Sequence, residues 1–365
     1  MKTLGGMSLA LTLVAAFAVL AGGQQNAPKP RPSAAPRPAA TASERPLVLT
    51  ESIPLPGVKG RFDHFATGGG KLFVSALGNN SVEVIGTGGR TLDYTITGVP
   101  GPQGEAFSPE ANKIFSASGT GKVYIYDGKT YDLITTVDFP GGADNLRYDA
   151  ATKRVYVGCG NNEKTGAIAM IDAMTNQKLD EQYLLGGEPE SFQLERSGPN
   201  IYANLPDLKQ IAVINRTTKT VTKWNLTIEG NFPMALDEAD HRLFVGTHQP
   251  ARMAVFDTTS GKMIAALPSV QDTDDLYYDA AYKRIYMPGG EGFIYVFQMD
   301  DPDHYRLLAK IPTVIGAKTA GHFGSPTVAN GNGPRIPGKG FDRFYLAVPV
   351  HGNDPAEIRI YTAQD

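Results

Sequence analysis

Seven times along the chain a short phrase ends in Phe or Tyr: a basic or small polar residue, an apolar one, then the ring. It closes at Phe73, Phe115, Tyr156, Tyr202, Phe244, Tyr286 and Tyr345, in steps of 42, 41, 46, 42, 42 and 59 residues. A unit of about forty residues with short strand signals and Gly-rich turns cannot bury its own apolar faces. It must stack on its neighbours, and this repeat length predicts a β-propeller.

The units divide into four strands each. In the third, Leu146-Arg147-Tyr148 is the inner strand, Arg154 to Gly158 the second, Ile168 to Asp172 the third and Leu179 to Leu184 the fourth. Short apolar alternation broken by Asp, Asn, Gly and Lys suits twisted antiparallel sheets. The last unit stops after its third strand at Ile358-Arg359-Ile360-Tyr361, and a spare strand, Leu47 to Ile53, precedes the first. Using the spare strand as the missing outer strand closes the ring and removes two exposed edges. The expected fold is all-β: a seven-bladed propeller of four-stranded antiparallel blades over residues 47–365, with the N-terminal strand closing the last blade.

Composition narrows the function classes. The 34 basic and 37 acidic residues of this 365-residue chain nearly balance, so the global field favours neither nucleic acid nor an anionic membrane. One cysteine, Cys159, excludes an internal disulfide, a CxxCH haem attachment and any multi-cysteine metal site. A single tryptophan, Trp224, argues against quinone-dependent dehydrogenase propellers and against a base-stacking track for single strands. No GxSxG elbow, HExxH helix or phosphate-binding loop occurs in a suitable context.

Residues 1–21 carry a lysine followed by a short apolar run ending in Val19-Leu20-Ala21, the pattern of a signal peptide cut after Ala21. Residues 22–46 are rich in Ala, Pro, Gln and basic side chains, and such a segment is expected to be an extended linker. The protein is therefore expected in the periplasm or outside the cell, with no membrane span left after cleavage.

The chain resembles the YVTN-type propellers and, more narrowly, their YncE-like secreted branch. The likeness is carried by Gly60-Arg61-Phe62-Asp63-His64, by Leu77-Gly78-Asn79-Asn80-Ser81-Val82, by Ala143-Asp144-Asn145-Leu146-Arg147, by Pro189-Glu190-Ser191-Phe192, by Asn231-Phe232-Pro233-Met234 and by Asp272-Thr273-Asp274-Asp275-Leu276. It implies the propeller fold and says little about function, because such propellers include binding proteins and enzyme subunits. The last blade departs from the pattern through a Gly/Pro-rich insertion at residues 329–340.

Ligand sites on propellers sit where inner-strand entries and the loops after second strands converge on the central channel. Counting back from the aromatic or apolar end of each inner strand puts Asp63 and Glu105 at one position in blades 1 and 2. The same count makes Asp144, Glu190 and Asp274 equivalent in blades 3, 4 and 6, with Asn145 and Asp275 adjacent. His64-Phe65 and His322-Phe323 match as dipeptides in blades 1 and 7, and His248 and His351 are expected at the same face. Carboxylates around a narrow opening repel one another and invite a cation or raised pKa values.

Asp63, His64, Glu105 and His322 are the candidate ligands for a divalent cation, with calcium, zinc or manganese as the metals. The same acidic residues serve the fold instead if they cap amides or pair with Arg61 and Arg147. Two functions follow. One is a binding or scaffolding propeller of the cell envelope, taking a protein partner or a small molecule at the acidic, histidine-bearing mouth. The other is a metal-dependent lactonase- or lyase-type enzyme, which requires at least three of these side chains at one metal position.

Overall fold

A computed structural model of the chain describes residues 45–323 and 343–364. The expected signal peptide, the expected linker through residue 44 and the insertion at 329–340 lie outside the described residues. Seven four-stranded antiparallel sheets are present, the seven blades of a propeller. The inner strands of blades 1 to 7 are Phe65–Gly68, Pro102–Ser108, Ala143–Asp149, Phe192–Leu194, Glu229–Asp237, Tyr277–Asp279 and Ala320–Phe323. They lie side by side around the axis.

The repeated phrase opens the second strand of every blade. In Lys71–Ala76, Lys113–Ser118, Arg154–Cys159 and Asn200–Leu205 every residue after the first is buried. A blade has a neighbour on each face, so both sides of its middle strands face apolar surface. That explains continuous apolar runs where a half-exposed sheet would alternate. The recurrent Asp or Asn ending the third strand has a local role. Asp127, Asp172 and Asn215 each accept hydrogen bonds at Oδ1 from the backbone N–H groups two and three residues on, at 2.8–3.0 Å. Such Asx turns reverse the chain towards the outer strand.

Ring closure takes the expected form. Strand Leu47–Leu55 pairs antiparallel with Ala356–Ala363, from Leu47 opposite Ala363 to Leu55 opposite Ala356, and is the outermost strand of blade 7. Its C-terminal end turns inward. Ile53 and Leu55 are buried with Val58, Phe62, Leu72 and Val74 of blade 1 and Ala347 and Ile358 of blade 7. An ordinary outer strand is different, for Leu133 of blade 2 is 52% exposed.

Truncating Leu55 to Ala should cost about 3 kcal/mol through lost burial and a cavity at the blade 1–7 seam. Leu133→Ala should cost under about 0.5 kcal/mol. Denaturant midpoints of the two variants test the difference; equal shifts would mean that the closing strand does not bear on stability.

Candidate ligand site at the channel mouth

Strand pairing supplies a register that the sequence lacks. The phrase aromatic lies opposite Ala66, Ala106, Arg147, Gln193, Ala235, Tyr277 and Gly321 in blades 1 to 7. Three residues before each lies one position shared by all blades. Asp63, Asp144, Glu190 and Asp274 occupy it in blades 1, 3, 4 and 6. Gln103, Phe232 and Lys318 complete it in blades 2, 5 and 7. The next position carries His64, Gly104, Asn145, Ser191, Pro233, Asp275 and Thr319. Backbone bonds repeat as well: Asp63 N–H donates to Ser75 O at 2.8 Å and Glu190 N–H to Asn204 O at 3.0 Å.

Two expectations are corrected by this register. Glu105 is not equivalent to Asp63. It pairs opposite Ser116 and so matches Phe65, whereas Gln103 matches Asp63. The count fails because Phe107 pairs with Ile114, before the phrase aromatic, while Phe65 pairs with Val74, after it. His322 is not equivalent to His64 either. With Gly321 opposite Tyr345, His322 matches Thr67, and the shared dipeptide is a coincidence of composition.

Both residues are consequently drawn into the walls. Glu105 is buried between blades 1 and 2, where its Oε1 accepts from Ser75 Oγ at 2.7 Å and Ser116 Oγ at 2.6 Å. His322 is buried among the rings of Tyr277, Tyr286 and Phe344, with centroids 5.1–5.9 Å away.

His64, Asn145 and Asp275, all at the second position, meet across the axis from blades 1, 3 and 6. The His64 Nδ1 lies 3.1 Å from Asp275 Oδ1, and Nε2 lies 3.1 Å from Asn145 Nδ2 and 3.3 Å from Asp63 Oδ1. Asp275 Oδ2 accepts from the Ala320 N–H at 2.8 Å, tying blade 7 to the group. Arg147 donates to Asn145 Oδ1 at 3.1 Å and stacks over the Phe192 ring.

A neutral ring would donate from Nδ1 to Asp275 and accept from Asn145; an imidazolium donates from Nε2 to Asp63 instead. Burial opposes the charged ring, but Asp275 and Asp63 outweigh it and push the His64 pKa up to about 10. The ring is the cation that the acidic mouth holds within itself.

Burial raises the Asp63 pKa to about 7, with His64 opposing and Asp144 and Asp274 adding to the rise. Burial, then His64 in opposition, shapes Asp144, which ends raised. Glu190 is raised well above the usual carboxylate range by burial and then by Asp144 and Glu188. Lys318 was not foreseen from sequence; its ammonium lies 3.0 Å from Asp274 and 2.9 Å from Asp272. Only the register would have found it, because the insertion in blade 7 separates its inner strand from the phrase that anchors the count.

His248 hydrogen-bonds to Thr273 O at 2.9 Å and stacks on Phe232, and His351 bonds to Pro349 O at 3.0 Å. Cys159 is buried against Ala167 O, and burial pushes its thiol up to about 11, which makes it inert at neutral pH. Among the described residues, no three His, Cys, Asp or Glu side chains are grouped to hold a metal ion. Asp63 and His64 are in contact, but Glu105 and His322 lie in separate inter-blade packings, so the four candidate ligands do not fit a single metal.

No protein-family model matches the chain, and no curated protein matches it by sequence. Solved structures do. A chain of the mitotic checkpoint complex superposes with a TM-score of 0.68 at 12% identity, covering 97% of this chain and 99% of that one. The WD40 repeats of RRP9 give 0.68 at 10% identity, covering 84% and 96%, and U3-55K gives 0.67 at 10%, covering 84% and 97%. Identities this low establish the β-propeller fold alone. The narrower YVTN likeness is not shown by them and rests on its motifs.

Glu105 predicts a pH effect. Burial lifts its pKa from 4.5 to about 8, with the two serines opposing. The folded state therefore holds a proton that the unfolded chain releases, and stability falls as pH rises from 4.5 to about 8. Glu105→Gln should flatten that slope and leave the protein at least as stable as the parent at pH 8. Thermal melts across this window test it; an unchanged slope would show that Glu105 ionises in the folded state much as in solution.

Proposed function

We propose that the chain is a binding or scaffolding propeller, exported to the cell envelope, that receives a basic group of a ligand or partner at its acidic channel mouth. The observation that carries this reading is the placement of Asp63, Asp144, Glu190 and Asp274 at one position of four blades around one opening. Carboxylates so placed repel one another, and a bound cation relieves the repulsion. The bridge of His64, Asn145 and Asp275 spans the axis beside them. A ligand therefore docks on the mouth and does not thread the channel.

Export is supported by the sequence of residues 1–21, and among the described residues no helix is long and apolar enough to cross a membrane. The lactonase- or lyase-type alternative needs three candidate ligands at one metal, and no observation favours it.

Tetralysine should bind the purified protein at low salt, weaken as salt rises, and bind about tenfold less tightly to the Asp63→Asn/Asp274→Asn double variant. Isothermal titration against tetraserine tests this; equal affinity for the two peptides would overturn it. Produced in a host with Sec-type export, the protein should begin at Gly22, as read from its intact mass. An unprocessed chain retained in the cytosol would remove the envelope from the proposal.

A further inference from the structure

A cavity of about 270 Å³ opens between blades 2, 3 and 4, beside the acidic ring. Asp144 and Glu188 line it with Gln103 and Asn161. We propose that this cavity is the seat of a small organic cation, an ammonium or guanidinium bearing further hydrogen-bonding groups. The carboxylates of Asp144 and Glu188 hold its charge, and the amides of Gln103 and Asn161 meet its polar neighbours. The inference rests on the reading of the mouth as a site for basic groups and names where the cation goes.

Charge balance around the ring points to this side. Asp63 pairs with Arg61 at 3.6 Å and His64 at 3.3 Å, Asp275 with His64 at 3.1 Å, and Asp274 with Lys318 at 3.0 Å. Asp144, Glu188 and Glu190 take part in none of these pairs. Among the described residues the close ion pairs thus gather towards blades 1, 6 and 7, while His64 and Arg147 act on Asp144, and His64 on Glu190, without a close ion pair to either. Partly buried acids outside a close ion pair favour the arrival of a positive ligand.

One side of the cavity is closely packed backbone. Gly160 has φ +79°, and a Cβ there would lie 2.0 Å from Thr165 O; Gly141 has φ +93°, and its Cβ would lie 3.1 Å from Gly160 Cα. Two turns of blade 3 therefore press backbone to backbone along one side, a contact open only to glycine. The volume equals that of about nine waters, too large for a bare metal ion and suited to a cation of a few heavy atoms.

Isothermal titration with methylguanidine and 2-aminoethanol tests the proposal. At least one of them should bind saturably with a Kd of about 1 mM or tighter, while neutral ethylene glycol does not bind. Glu188→Gln should weaken binding about tenfold by removing charge. Gly119→Val should do the same by filling space, since the nearest atoms to its Cβ belong to the flexible Gln103 side chain, at 3.2 Å. Asp274→Asn, on the far side of the ring, should weaken binding less than either. Thermal melts of each variant separate lost binding from lost folding.

If methylguanidine and 2-aminoethanol fail to bind while tetralysine still does, the cavity is not the seat and the mouth reading survives. Binding that Asp274→Asn abolishes and Glu188→Gln leaves intact has the same meaning. If tetralysine also fails, both proposals fall.

Discussion

The molecule depends on one non-local interaction, the antiparallel pairing of Leu47–Leu55 with Ala356–Ala363. Within blades 1 to 6 every strand pairs with a neighbour in the chain, and such local hairpins form at low loop-closure cost. The chain ends alone must meet across the whole sequence. When they do, two sheet edges disappear, and Ile53 and Leu55 bury themselves in the seam between blades 7 and 1. The closed ring then holds His64 of blade 1 against Asp275 of blade 6 and Asn145 of blade 3, a geometry that an open array of blades would not impose.

That cross-axis contact decides the electrostatics of the mouth. Acidic side chains delivered by several blades would repel one another, and the fold answers unevenly. An imidazolium at His64, an ammonium at Lys318 and the Arg61 guanidinium pair with Asp63, Asp275 and Asp274. Asp144, Glu188 and Glu190 lie outside those ion pairs, and each has a raised pKa. The mouth is thus polarised from a self-neutralised side to an acidic one. This asymmetry, more than the total number of carboxylates, is what the proposed cation site depends on.

Two other buried acids, Glu105 and Glu83, are answered by neutral hydroxyls and belong to the walls. Glu105 receives Ser75 and Ser116, and Glu83 receives Ser81 and Thr95, each at 2.6–2.7 Å. For Glu105 such bonds do not offset burial, and the acid stays neutral over most of the physiological range. A carboxylate therefore joins the ring at the mouth here only when the register places it there. One or two residues along, the same side chain is mortar between blades.

The repeat was legible in the sequence because each blade needs the same apolar strand, the same Asx turn and the same aromatic at nearly the same interval. Closure was legible too, since a spare strand at one end matched a missing strand at the other. Asp144, Glu190 and Asp274 were placed together correctly because an apolar inner-strand residue kept a constant distance from them. Glu105 and His322 were misplaced for the converse reason. Phe107 pairs one side of the phrase aromatic and Phe65 the other, and the blade 7 insertion removed the landmark that would have exposed the false match of His322 and revealed Lys318. Periodic burial leaves its mark on every residue of a strand, so sequence alone determined the architecture. Which side chain faces the axis depends on hydrogen-bond register and local bulges, and which charges meet depends on ring closure; those only the tertiary structure decided.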